Sequence, residues 1–226
     1  MSIPVTITSD FICPWCLIGE RRLLKAIEEL PEGTSVELRW QPFELNPSMP
    51  TEGMNRKIYR SMKFGSWERS RMLDAQTVAA AVDDDVAFDY DAIEKTPNTF
   101  QAHRLMRFAE QFGAATALGN ALLSAYFELG RDLGDIATLT DIAVEQGLDR
   151  EMVGAFLASD EESDAIRKIE QALQVSGVPN FDIDGEVISG AQSQRVFAEA
   201  LGRAAERAKD DALVTGECAG GVCTVA

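Results

Sequence analysis

The sequence predicts an α/β fold with a βαβ unit at its start, a β-hairpin and helix at its end, and a large all-helical insertion between them. Three observations predict it. Apolar residues alternate near both ends of the chain, the period-two pattern of a half-buried strand. The middle carries apolar residues at helical spacing, punctuated by glycine. A two-residue turn signal, Asp184-Gly185, separates two short apolar runs near the end.

Ile3, Val5 and Ile7 alternate with Pro4, Thr6 and Thr8, a strand that stops at Ser9-Asp10. A helix follows over about 14–30, with Leu17, Ile18, Leu24 and Ile27 among its apolar positions. Pro14 falls one residue inside it, where the missing N–H is harmless, and Pro31-Glu32-Gly33 stops it. Val36, Leu38 and Trp40, with Pro42-Phe43, form the second strand. Pro47, Pro50 and Gly53 then break the chain. Helical patterns run over 55–62, 67–82, 98–112, 114–130, 138–146 and 150–158, with Gly113, Gly130, Gly134 and Gly147 as helix stops. Thr138 with Asp141 reads as a capping box, and Phe88 and Tyr90 as a short extended piece. A helix over 160–175 precedes Val178-Pro179; Phe181 and Ile183 pair with Val187-Ile188 across the hairpin turn, and a last helix covers 192–209. The expected organisation is a discontinuous α/β domain over 1–45 and 159–212, an insertion domain over 46–158, and a flexible cysteine-bearing tail over 213–226.

The chain has 226 residues, 46% of them hydrophobic and 26% charged, enough for a well-buried core. Its 37 acidic and 21 basic residues leave a net charge of -16. Such a surface repels phosphate backbones and argues against nucleic-acid binding. It selects no substrate, because acidic solvated surfaces are common in soluble proteins. No apolar run approaches the roughly 20 residues that span a bilayer. Residues 1–11 carry no Lys or Arg and alternate like a strand rather than a leader, so a cytoplasmic location without membrane partners is expected. The four cysteines form two close pairs, Cys13 with Cys16 and Cys218 with Cys223. In a reducing compartment close pairs point to redox catalysis or metal binding.

Cys13-Pro14-Trp15-Cys16 follows a strand and opens a helix. Cys13 falls at the N-cap, where free backbone N–H groups and the helix dipole favour a thiolate. A thiolate attacks a disulfide sulfur, and Cys16, one turn further on, can resolve the resulting mixed disulfide. Pro14 stiffens the link, and Trp15 offers an apolar face to a substrate chain. Zinc uses the same spacing, but the chain has one His, and its other two Cys lie at the opposite end. No metal site is expected. Val178-Pro179 is the second element. In a thioredoxin-type layout a cis-proline loop lies against such a dithiol, and the backbone of Val178 can pair with an extended peptide. An ordinary trans-proline at a strand start is the plainer alternative.

The chain resembles the DsbA-like thioredoxin-fold oxidoreductases, and within them the FrnE-type dithiol–disulfide isomerases. The resemblance rests on the stretch Ser9-Asp10-Phe11-Ile12-Cys13-Pro14-Trp15-Cys16-Leu17-Ile18-Gly19 and on Asn98-Thr99-Phe100-Gln101-Ala102-His103-Arg104-Leu105. Gly177-Val178-Pro179-Asn180-Phe181 and Ile188-Ser189-Gly190-Ala191-Gln192 carry it near the end. It covers about 3–208 and implies a thioredoxin-like fold interrupted by a helical insertion. It also implies oxidation, reduction or isomerisation of protein disulfides, with Cys13 as nucleophile and Cys16 as resolving thiol. No cofactor beyond the redox-active disulfide is implied. Related folds, the kappa-class glutathione transferases and 2-hydroxychromene-2-carboxylate isomerase, act on small molecules with glutathione and typically carry Ser where this chain has Cys13. Glutathione is therefore a possible co-substrate.

One position departs from the wider pattern. Many thioredoxin-like oxidoreductases carry a buried carboxylate six residues before the first Cys; here that residue is Ile7. Asp10 is the nearest acid and reads equally as a turn residue, so the proton acceptor of Cys16 is open. Cys218 and Cys223 enclose Ala219-Gly220-Gly221-Val222, a loop small enough to close into a disulfide. On a flexible tail such a pair can act as a relay or second redox centre; a local cystine clip is the plainer alternative. His103, the sole histidine, reads as a packed or surface helical residue. The scattered methionines read mainly as core filling. The expected partners are protein or peptide thiols and disulfides, with an upstream reductase, acting on a monomer or homodimer. The rival readings are a glutathione-dependent small-molecule isomerase or transferase, a chaperone-like binder and a zinc-holding module.

Overall fold

The computed structural model describes residues 2–216, with side chains described through Lys209. Strand β1 (Ser2–Ser9) leads through helix α1 (Pro14–Glu28) to strand β2 (Ser35–Pro42). β2 lies parallel to β1, with Ile7 opposite Trp40. A parallel return needs a crossover, and α1 provides it. Strands β5 (Asn180–Ile183) and β6 (Glu186–Ser189) are antiparallel. β5 adds antiparallel to the other side of β1, giving the sheet order β2-β1-β5-β6. The turn between β5 and β6 has Asp184 at φ 51 and Gly185 at φ 86. Two consecutive positive φ values belong to a type I′ hairpin turn, which Asp-Gly favours. Helix α9 (Gln194–Gly216) packs on α1 and runs past the predicted end at 209. Alanines of α9, such as Ala204, let it lie close against its neighbours.

Between β2 and β5 stand α2 (Arg56–Phe64), α3 (Trp67–Ala80), α4 (Phe100–Glu110), α5 (Ala115–Phe127), α6 (Ile136–Glu145), α7 (Arg150–Ala158) and α8 (Ser163–Ala172). The insertion is not wholly helical: β3 (Met54–Asn55) pairs with β4 (Lys95–Thr96). That two-residue ladder closes the long excursion through α2 and α3. One hydrophobic cluster joins Ile3, Val5 and Ile7 of the sheet to Leu118, Leu122 and Leu139 of the helices. Gly119 makes this join possible, since a Cβ there would sit 2.7 Å from the Trp40 ring.

Two local expectations are corrected. The cap of α6 is Asp135, whose carboxylate accepts from Thr138 N at 2.8 Å; Thr138 and Asp141 form no capping box. Asp135 supplies an ionised acceptor directly at the N-cap, so Thr138 is drawn into the first turn. Phe88 and Tyr90 form no strand. Their rings stack at 4.9 Å and meet Phe127 edge-on, while Asp89 N donates to Phe127 O at 2.8 Å. Ring packing and a bond to the end of α5 satisfy the segment without a β partner.

Candidate active site

Cys13 is the N-cap of α1, with extended φ/ψ of -98 and 110, and Pro14 stands at the first helical position. The turn that delivers it is closed by Cys13 N donating to Asp10 O at 3.1 Å, and Cys16 N donates to Cys13 O at 3.0 Å. No side chain caps α1, so its free N–H groups are left for whatever charge develops at Cys13. Both cysteines are free thiols and both are buried. Burial first, and then the Cys13 sulfur that accepts its hydrogen bond, push the Cys16 thiol well above the usual cysteine range. The Ser9 hydroxyl and the Asp10 backbone oppose that rise. The pair is thus asymmetric: Cys16 holds its proton and donates toward Cys13.

The Val178–Pro179 bond is cis. Val178 O faces the Cys13 sulfur at 3.6 Å, so the loop before β5 lies against the dithiol. Gly19 allows this approach. A Cβ there would meet Phe181 at 2.9 Å and Pro179 at 3.3 Å. Cys13, Cys16, Val178 and Pro179 are therefore brought together from both ends of the chain. Trp15 is 39% exposed and stands at the edge of a cleft of about 290 Å³ beside Cys13. Cys218 and Cys223 lie outside the described residues.

The far wall of that cleft carries residues that sequence reasoning missed. Arg56 and Arg60 share one carboxylate, Asp74, at 2.7 and 2.6 Å. Lys63 donates to the Tyr59 hydroxyl at 2.8 Å. Three cations against one anion make this wall positive on a chain of net charge -16. Arg56 is nearly buried and lies over the Tyr90 and Trp67 rings, which holds its guanidinium in place. The signal was present as Arg56, Arg60 and Lys63 at helical i, i+4, i+7 spacing in an acidic sequence.

On the opposite side of the dithiol the polar groups are buried. Asp10 is fully buried; its Oδ2 accepts from Leu45 N at 2.7 Å, and its Oδ1 lies 3.6 Å from His103 Nε2. Asp10 is thus both the turn residue and a buried carboxyl. His103, expected as an unremarkable helical residue, faces it from α4 and also meets the Phe11 ring at 5.0 Å. Its neighbour Arg104 donates to the carbonyls of Phe156, Ser159 and Glu161, tying α4 to the α7–α8 connection. Among the described residues no group of three or more His, Cys, Asp or Glu is placed to hold a metal ion, and no helix is long and apolar enough to cross a membrane.

Comparison with known proteins bears on the fold. Residues 4–202 match the family described as DsbA-like thioredoxin domain. A probable DsbA oxidoreductase from Streptomyces coelicolor is 32% identical, with a TM-score of 0.80 over 89% of each chain. The uncharacterized protein YwbO of Bacillus subtilis (strain 168) is 28% identical over 89% of this chain and 96% of its own. The cytosolic disulfide reductase DsbM of Pseudomonas aeruginosa, 19% identical, shares the fold with a TM-score of 0.59 over 93% of this chain and 99% of its own. With a family model matching nearly the whole chain and a relative 32% identical over 89% of it, the chain belongs to the DsbA-like thioredoxin-domain family.

Proposed function

We propose that the chain is a thiol–disulfide oxidoreductase or isomerase of FrnE type in which Cys13 attacks and Cys16 resolves. The asymmetry of the pair supports this reading above all. Cys13 ends on the free N–H groups of a helix, and Cys16 is a buried thiol donating toward it. Attack of the Cys13 thiolate on a substrate disulfide forms a mixed disulfide and releases one substrate thiolate. Cys16 then attacks Cys13, closing the protein disulfide and releasing the second; the substrate is reduced and the protein oxidised. The reverse sequence oxidises a dithiol. Val178 and Trp15 would seat an extended protein or peptide chain beside Cys13. Cys218 and Cys223 would pass electrons between this site and an upstream reductase.

The test is trapping. Cys16→Ser should accumulate a Cys13-linked mixed disulfide with a peptide disulfide, seen by intact mass, and Cys13→Ser should accumulate none. A Cys16→Ser protein that gives no adduct, with the unsubstituted chain inert in glutathione redox buffers, refutes the reading. Loss of activity in a Cys218/Cys223 double variant tests the tail relay. A second reading, a glutathione-dependent activity on small molecules, is favoured by the positive wall of Arg56, Arg60 and Lys63 facing Cys13. It predicts turnover that survives Cys16→Ser, because only one thiol is then needed.

A further inference from the structure

A resolving thiol must lose its proton as it attacks and regain it when it is released. The usual carboxylate position is Ile7 here, an apolar residue 1% exposed. The proton must go elsewhere.

Several buried polar atoms without partners lie at or near the β1–α1 turn and the α4 residue that faces it. Ser9 Oγ, Asp10 Oδ1, His103 Nε2 and Glu44 Oε1 are all buried, and none has a conventional hydrogen-bond partner. Unpaired buried polar atoms are rare and mark a role or an unmet solvent. Ser9, Asp10 and His103 also lie close together. The Ser9 side chain favours the ionised form of Cys16, and the Asp10 backbone acts in the same sense. Asp10 Oδ1 is 3.6 Å from His103 Nε2. A cavity of about 10 Å³ is lined by Ser9, Trp40 and His103 among others, and each of these three carries an unpaired buried polar atom. That volume suits a single water, which needs two to four polar partners.

We propose that Asp10 and His103 together are the acid–base group of Cys16, connected to its sulfur through the Ser9 hydroxyl. This rests on the dithiol reading above. On resolution, the Cys16 proton passes by way of Ser9 to the Asp10–His103 pair. The Cys16 thiolate forms its bond to Cys13 as the Cys13–substrate S–S bond breaks, and the electron pair leaves on the substrate thiolate. In the reverse step the pair returns the proton to Cys16.

Other charged groups surround the Asp10–His103 pair. His103 is faced by Asp10 from the β1–α1 turn and by Glu44 from the segment after β2. Glu44 pairs with Arg167 of α8, which also holds Glu170 at 2.9 Å. Arg107, one turn along α4, lines the same cavity and is engaged by Glu110 and Glu162. Burial, and then the charge of Glu170, raise the Glu44 carboxyl, while Arg167 and His103 oppose that rise. Arg167 is partly exposed, so the ion pair of Glu44 reaches the surface. Glu20 is the other buried carboxyl near the dithiol, one turn beyond Cys16, but the side chains acting most strongly on Cys16 are Cys13 and Ser9.

Stopped-flow reaction of the reduced chain with a nitrobenzoate disulfide separates the steps. The first coloured thiolate reports attack by Cys13 and the second reports resolution by Cys16. In Asp10→Asn and His103→Gln the second phase should slow about a hundredfold, the low end of the usual acid–base contribution, and lose its pH dependence. The first phase should be unchanged. Ser9→Ala should act alike and Ser9→Thr should restore the rate, whereas Glu20→Gln should keep the pH profile. A wild-type second phase in both Asp10→Asn and His103→Gln, or its loss only in Glu20→Gln, overturns the proposal. If a variant fails to fold, the single histidine decides by NMR. Its titration in the reduced chain should differ from that in Cys16→Ser, and superimposable curves overturn the proposal. Absence of any second phase in the unsubstituted chain removes the dithiol mechanism itself.

Discussion

Glu20 gives the strongest stability prediction. It sits on α1, 1% exposed, and both carboxyl oxygens lack a hydrogen-bond partner. Burial raises its pKa from 4.5 to about 8, with only Arg21 opposing. A folded value above the unfolded one means that the protonated form is favoured by folding. The contribution is fully present below about pH 4.5 and is lost as pH rises through about 8. At about 1.36 kcal/mol per pH unit, the full loss is about 5 kcal/mol. Glu20→Gln removes the titration and keeps the shape, with an amide whose unmet hydrogen bonds cost the same at every pH. The measurement is urea unfolding of both proteins from about pH 5 to 9. The variant should gain on the unsubstituted chain by a few kcal/mol across that range, with most of the gain complete near pH 8. A difference in stability that stays flat with pH refutes burial as the state of this carboxyl.

Gly19→Ala should cost about 1–3 kcal/mol by overpacking, because its Cβ would meet the buried Phe181 ring at 2.9 Å; thermal unfolding checks it, and slower exchange should accompany it as Pro179 is displaced from the dithiol. Asp74→Asn should destabilise by about 3–5 kcal/mol, as expected when a buried ion pair loses one partner, since Arg56 and Arg60 both depend on that carboxylate; denaturant midpoints report it. Lys63→Ala should lower kcat/KM for an anionic disulfide and flatten its salt dependence, with little change for a neutral one. Asp135→Ala should cost about 1 kcal/mol through loss of the α6 cap, and Asp141→Ala should cost less, because Asp141 makes no cap.

Much of the fold was legible because its signals are local. Alternation at Ile3, Val5 and Ile7 marks β1, proline at the first helical position marks α1, and Asp184-Gly185 marks the hairpin. Gly113, Gly130 and Gly147 do take positive φ, as helix stops should; Gly134 is not among them and instead packs beside Pro97. The errors were also local. The capping-box pattern of Thr138 and Asp141 misled, because the cap is the preceding Asp135. The β3–β4 pair was invisible because two residues on each side carry no period.

Residues 13–16 could be recognised unaided as a dithiol at a helix start, because strand, turn, proline and helix are consecutive and each obeys a short-range rule. What surrounds that dithiol could not. Val178 against Cys13, Arg56 and Arg60 around Asp74, and Asp10 facing His103 join segments far apart in the chain. Burial of Glu20 likewise depends on elements that no local pattern names. The dithiol is written in four neighbouring residues, whereas its environment comes from packing between elements, where small changes in helix placement decide which polar groups lose water and which charges meet.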